Sequence, residues 1–121
     1  MSELPETFVR VCPVAGIAKE TGVVALVHGR AVAVFRTHDD QIHALANYDP
    51  ASKASVLARG IVGSRAGAAV VSSPMYKHAF DLRTGQCLDD GSMRVPVFAV
   101  EVVDSQVWVG PEVSVEEWAS G

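Results

Sequence analysis

What most constrains this chain is its cadence: short runs of valine and other apolar residues, each broken by a turn signal before it reaches helical length. Residues 7–12 alternate and end at Pro13. Residues 23–28 and 31–36 flank Gly29-Arg30, where glycine at the first turn position predicts a two-residue hairpin of the II′ type. The polar stretch 37–41 turns the chain again, into residues 42–46. Four strands within the first 46 residues leave no space for crossover helices, so an antiparallel meander is predicted.

The pattern loosens between Asn47 and Ser64, where residues 52–58 have room for a helical turn or two and no more. Strands return at residues 68–71, 78–82 and 86–88, the last two joined by a turn at Arg83-Thr84-Gly85. Residues 97–102 and 106–109 read as a final hairpin, stopped by Pro111. With no repeat, low-complexity segment or linker, the expectation is one all-β domain of small antiparallel sheets or a barrel over 1–121, its core at about 7–109 and its tail at 110–121. In the tail, Ser114 and Glu117 have capping-box spacing, but too few residues follow for an independent helix. Trp118 there either covers part of the domain's own core or anchors a partner.

Composition closes off several classes of function. Ten basic and 14 acidic residues give a formal charge of −4, with no basic block, which argues against nucleic-acid binding. The longest apolar runs, 22–27 and 67–71, fall far short of the ~18–20 residues a membrane helix needs. The N-terminal residues lack a basic and then apolar leader pattern, so the expectation is a cytoplasmic chain with Cys12 and Cys87 reduced, a single bridge being the alternative. Two cysteines and four histidines are also few ligands for a metal centre.

The segment Ser73-Pro74-Met75-Tyr76-Lys77-His78-Ala79-Phe80-Asp81-Leu82-Arg83-Thr84-Gly85 carries a family signal. It resembles the second cluster-binding loop of Rieske iron–sulfur proteins, C-P-x-H-x-x-x-F-D-L-x-T-G, with Pro74, Phe80, Asp81, Leu82, Thr84 and Gly85 in register. The stretch 42–49 resembles the first loop, which normally holds C-x-H. The resemblance therefore implies a Rieske-like [2Fe-2S] ferredoxin-type fold with two apical loops. A Rieske centre requires two thiolates and two imidazoles. The cysteine positions of the pattern fall on Asn47 and Ser73, and the histidine positions on Asp49 and Tyr76. Cys12 and Cys87 do not lie in C-x-H or C-x-x-H spacing, and His78 misses the ligand position by two residues, so the fold is expected without its cluster.

Asn47-Tyr48-Asp49-Pro50, the S-V-L-x-R-G segment at 55–60, and Gly85 with Cys87-Leu88 are similar to the small subunit of assimilatory NAD(P)H-dependent nitrite reductase. That resemblance implies a part in reducing nitrite to ammonia for nitrate assimilation. It places FAD, the [4Fe–4S] cluster, sirohaem and the NAD(P)H site on a separate large subunit. This chain would then be an accessory subunit that binds none of those groups and has no catalytic site. Its expected docking residues are Tyr48, Met75, Tyr76 and Trp118. A free-standing electron carrier or small oxidoreductase, or an interaction module of another reductase, is the alternative.

Other residues support rival roles. Cys87 is a nucleophile only with a His–Asp partner that the sequence does not display, and a packed thiol is favoured. Asp49, Asp89 and Asp90 suit a hard cation or plain solvation. His28, His38 and His43 read as surface residues. Arg59-Gly60 would either grip an anion or cap loop carbonyls. For Asn47 and Asp49 the favoured role is a polar network that replaces the cluster as the tie between the two loops.

Overall fold

Nine strands and two short 3₁₀ turns make up the ordered architecture of the computed structural model, which describes residues 5–75 and 77–113. In chain order the strands are β1 (Val9–Pro13), β2 (Thr21–Val27), β3 (Arg30–Arg36), β4 (Ile42–Ala46), β5 (Ile61–Arg65), β6 (Ala68–Ser72), β7 (Ala79–Asp81), β8 (Val97–Val103) and β9 (Gln106–Glu112). They form a six-stranded antiparallel sheet, β1-β9-β8-β4-β3-β2, and a three-stranded sheet, β5-β6-β7. The small sheet is thus inserted between β4 and β8. No helix among the described residues is long and apolar enough to cross a membrane.

One apolar core joins both sheets. Val32, Val34, Val107 and Val109 of the large sheet are fully buried, as are Val71 and Phe80 of the small one. Strand alternation puts Phe35 on the other face of β3 from Val34. There its ring leaves no space for a side chain at Gly22, whose missing Cβ would lie 2.7 Å from it. Leu57 and Ala58, in the 3₁₀ turn Leu57–Arg59, fill the space beside β2 and β3.

The structure departs from the sequence expectation at several points. The β2–β3 turn is His28-Gly29, one residue earlier than expected, because Val27 pairs with Arg30. Both turn residues have positive φ, 51° and 80°, which makes it the I′ type whose twist matches the strands. The same geometry recurs at Ala66-Gly67 and Asp104-Ser105. The opening meander covers only β2 to β4, since β1 crosses to pair with β9. The amide of Val14 donates to Ser105 O at 2.9 Å and fixes that crossing.

Strand β5 was not anticipated: only Val62 of its five residues is buried, so it has no alternating signature. The expected helical turns at 52–58 reduce to Leu57–Arg59. Residues 86–88 make only isolated bridges, Cys87 with Phe80 and Gln86 with Arg94. Pro111 does not stop β9, which runs to Glu112. β1 pairs with β9 only as far as Val109, so at Pro111 no ladder partner on that side requires an N–H.

Candidate functional site

The loop at 47–56 leaves β4 and the loop at 73–78 joins β6 to β7, and both lie at one end of the molecule, called apical below. Asn47 extends the β4–β3 ladder by one rung, its amide donating to Ala31 O at 2.9 Å. Asn47 Oδ1 then accepts from the Ala58 amide at 2.7 Å, and its Nδ2 donates to Ser55 O at 3.3 Å. Asn47 therefore closes the far end of its own loop.

Asp49 is fully buried, with 0% of its surface exposed, although it is a carboxylate. Its Oδ1 accepts from the Ala51 amide at 2.9 Å, forming an Asx turn. Its Oδ2 accepts from Ser52 Oγ at 2.9 Å and from the buried Ser73 hydroxyl of the other loop. Ser73 is itself held, its amide donating to His78 O at 2.9 Å and its Oγ accepting from the Met75 amide at 3.3 Å. Burial pushes the Asp49 carboxyl up. The bonds from Ser73, Ser52 and the local amides outweigh that and hold it below its usual 3.8. Among the described residues no cation pairs with Asp49, so hydrogen bonds alone offset its desolvation.

Two of the four positions that the resemblance aligns with cluster ligands, Asp49 and Ser73, thus meet in one buried oxygen network, whereas Asn47 bonds to Ala31, Ser55 and Ala58 and takes no part in the tie between the loops that was expected of it. The fourth, Tyr76, lies outside the described residues, as does Trp118. This donor set does not fit a [2Fe–2S] centre, which takes thiolates and imidazoles where Asn47, Asp49 and Ser73 offer amide, carboxylate and hydroxyl oxygens already hydrogen-bonded within the protein. Nor are the cysteines placed to substitute. Cys87 is buried beside Phe80, and Cys12 lies on β1, where burial pushes its thiol up, away from thiolate. No group of three potential metal ligands occurs among the described residues.

The other candidates are scattered. Arg65 pairs with Asp89 at 2.9 Å, and Asp89 also accepts from the Ala79 amide at 2.8 Å. The hydrogen bond from Arg65, then that from Ala79, lower the Asp89 carboxyl from 3.8 to about 2. Asp90 caps its own turn through Ser92. Neither aspartate is simply solvated. His28 bonds to Thr7 O at 3.0 Å, and His43 is half-buried on β4, where burial lowers its imidazole against the opposing pull of Asp81 and Asp39. The Arg59 guanidinium is exposed and caps nothing among the described residues, while Gly60 presses within 2.4 Å of Ser72 O, measured at the Cβ position it lacks. Of the expected docking residues that are described, Tyr48 is 44% and Met75 55% exposed.

Sequence reasoning did not single out Ser52, whose hydroxyl completes the Asp49 network, or the Ala58 amide that binds Asn47. The D-x-x-S spacing of Asp49 and Ser52 is the one local signal that pointed to the first.

The family of Rieske-like [2Fe-2S] domains matches residues 7–110. A nitrite reductase (NADH) small subunit of Escherichia coli is 39% identical over 98 residues, which are 80% of this chain and 91% of that protein. A solution structure of a nitrite reductase [NAD(P)H] small subunit from Erwinia carotovora superposes with a TM-score of 0.76 at 38% identity, covering 91% of this chain and 85% of the other. A nitrite reductase [NAD(P)H] large subunit of Klebsiella oxytoca is 39% identical over 100 residues; these are 83% of this chain but only 10% of that much longer protein.

Proposed function

The chain belongs to the family of nitrite reductase small subunits within the Rieske-like domains, and from that membership we propose that it acts as the accessory, non-catalytic subunit of a nitrite reductase. It docks on and supports a large subunit that carries FAD, a [4Fe–4S] cluster, sirohaem and the NAD(P)H site, and that reduces nitrite to ammonia in nitrate assimilation. The observation that supports association is the Klebsiella match. A sequence similar to this chain occurs as a separate small subunit and as a tenth of a polypeptide named for the large one. A segment found both ways fits a domain whose place is against the rest of the enzyme.

The oxygen network gives the physical reason for a supporting role. Asp49 and Ser73 tie the two loops by a hydrogen bond where the resemblance would put cluster ligands, which supports a subunit that carries no redox group there. Tyr48 and Met75 then project from ordered loops as docking side chains. The work is placed in the cytoplasm, a reducing compartment that suits two free cysteines.

The test is co-expression with the large subunit from the same source. A stable complex, with the small chain free of stoichiometric iron and labile sulfide after anaerobic purification, is the expected result. A stoichiometric cluster on the isolated chain would overturn the reading in favour of an electron carrier. Failure of the large subunit to co-purify would leave the chain as a module of some other enzyme.

A further inference from the structure

We infer that the chain's own C-terminal segment, residues 114–121, folds back on the domain and seats Trp118 in a hollow beside the small sheet. This seating needs no partner and is separate from the accessory-subunit reading. The hollow has a volume of about 220 Å³ and lies between Leu82-Arg83 and the strands β4 and β8. Val97 and Ala99 share one face of β8, and the register puts His43 of β4 on that same face, which also carries Phe35. The floor is apolar: Leu82 and Val97 are buried, and Ala99 and Val113 are half-buried. A smaller hollow of about 150 Å³, walled by Thr84 and residues 94–97, adjoins it, and the two meet at Val97 and Val113.

The occupant follows from where the described chain ends. The Val113 amide donates to Val97 O at 2.7 Å, which brings the chain to the junction of the two hollows. From there Trp118 is five residues on, within a reach of about 17 Å. Ser114 and Glu117 have capping-box spacing, and a helical turn begun there puts Val115 and Trp118, three apart, on one apolar face. Seating the indole ring there removes a large apolar area from water. Charge points the same way. Arg83 and Arg94 line the hollows and neither is in an ion pair among the described residues, although Arg94 bonds to Thr84 O at 3.2 Å. The only carboxylate lining them, Glu112, is paired with Arg30, and Asp81 beside the turn is taken up by the Arg83 and Thr84 amides. Glu116 and Glu117, next to Trp118 in the sequence, supply the carboxylates that these two guanidinium groups lack.

Fluorescence of the full-length chain tests this. Trp108→Phe leaves Trp118 as the only tryptophan. Its emission is expected at shorter wavelength than in the guanidinium-unfolded chain, with acrylamide quenching about threefold weaker and independent of protein concentration. Arg83→Glu, at an exposed position, should raise the unseated fraction by up to about fivefold, read as stronger quenching. A second measurement does not depend on how the Trp108→Phe variant folds: with Trp108 in place, Trp118→Ala is expected to move the amide NMR signals of Leu82, Arg83 and Ala99 and to leave that of Gly29 where it is. A Trp118 that emits and is quenched as in the unfolded chain overturns the inference, as does a Trp118→Ala variant that shifts none of the three signals. Protection that grows with protein concentration overturns it by making a second copy the occupant. Protection that Arg83→Glu leaves unchanged overturns it by placing Trp118 away from this hollow.

Discussion

The two ends of the molecule are built on different principles. At the end opposite the loops, chain reversals are short and their polar groups are locally matched. The hairpins turn on Ala66-Gly67 and Asp104-Ser105, and Arg36 and Lys19 both pair with Asp40. At the apical end two longer loops meet beside the tight His28-Gly29 turn, and a carboxylate is buried with no cation among the described residues. The first arrangement is what a stable monomer needs. The second orders the loops from within and leaves Tyr48 and Met75 exposed on them. The difference teaches that ordering and burial are separate properties here. The Asp49–Ser73 tie supplies the first, and Tyr48 and Met75 on the same loops go without the second.

That separation can be broken first at the core, where the largest effect is expected. Phe35 is fully buried between the large sheet and the Leu57–Arg59 turn. Phe35→Ala should cost about 3–5 kcal/mol, read by urea denaturation, and should damage both ends together because one core serves both sheets. A loss confined to the apical loops would show that the small sheet folds on its own.

The next effect is that of the network itself. Asp49→Ala removes the acceptor from the Ser73 and Ser52 hydroxyls and the Ala51 amide and should cost about 3 kcal/mol. The pH dependence provides a finer test. Asp49 sits below its usual 3.8 in the folded chain, so the folded state binds this proton less readily than the unfolded one. Its contribution is complete above the unfolded value and is lost as pH falls through the lower, folded one. Asp49→Asn should therefore show a shallower loss of stability below about pH 5 than the parent chain. An unchanged acid slope would mean that the carboxylate is not what holds the loops.

How far each end was legible follows from the same contrast. The strands of the large sheet announced themselves because one face of each is buried and their spacing alternates, as at residues 31–36 and 42–46. β5 did not, since an almost fully exposed strand has no pattern to show. The turn at His28-Gly29 was displaced by one residue because composition signals a glycine, whereas strand register decides which position it occupies. At the apical end the missing ligands were readable position by position from Asn47, Asp49, Ser73 and Tyr76. The partners of Asn47 and the reach from Asp49 to Ser73, 24 residues away, depend on how two loops meet in space. The exposure of Leu26 and Ile61 was hidden for a related reason: apolar residues in strands read as core until the sheet order makes one strand an edge.

A smaller effect is expected where Arg65 meets Asp89. The hydrogen bond from Arg65 leads in drawing the Asp89 carboxyl down to about 2. Arg65→Gln should raise its titration midpoint toward 3.8, followed by the carboxyl carbon shift in NMR. Because the pair is partly exposed, global stability should change little. A midpoint that stays near 2 would assign the shift to the Ala79 amide instead.

The smallest stability effect should come from the most telling position. Leu26 lies on β2, an edge of the large sheet, with 73% of its surface exposed, so folding removes little of it from water. Leu26→Ser should then shift unfolding by no more than about 0.5 kcal/mol. A loss of 2 kcal/mol or more would mean that Leu26 packs against the domain itself. A negligible loss makes the comparison sharper. A leucine left exposed on an edge strand then adds almost nothing to the stability of the monomer, whereas the buried Phe35 adds much.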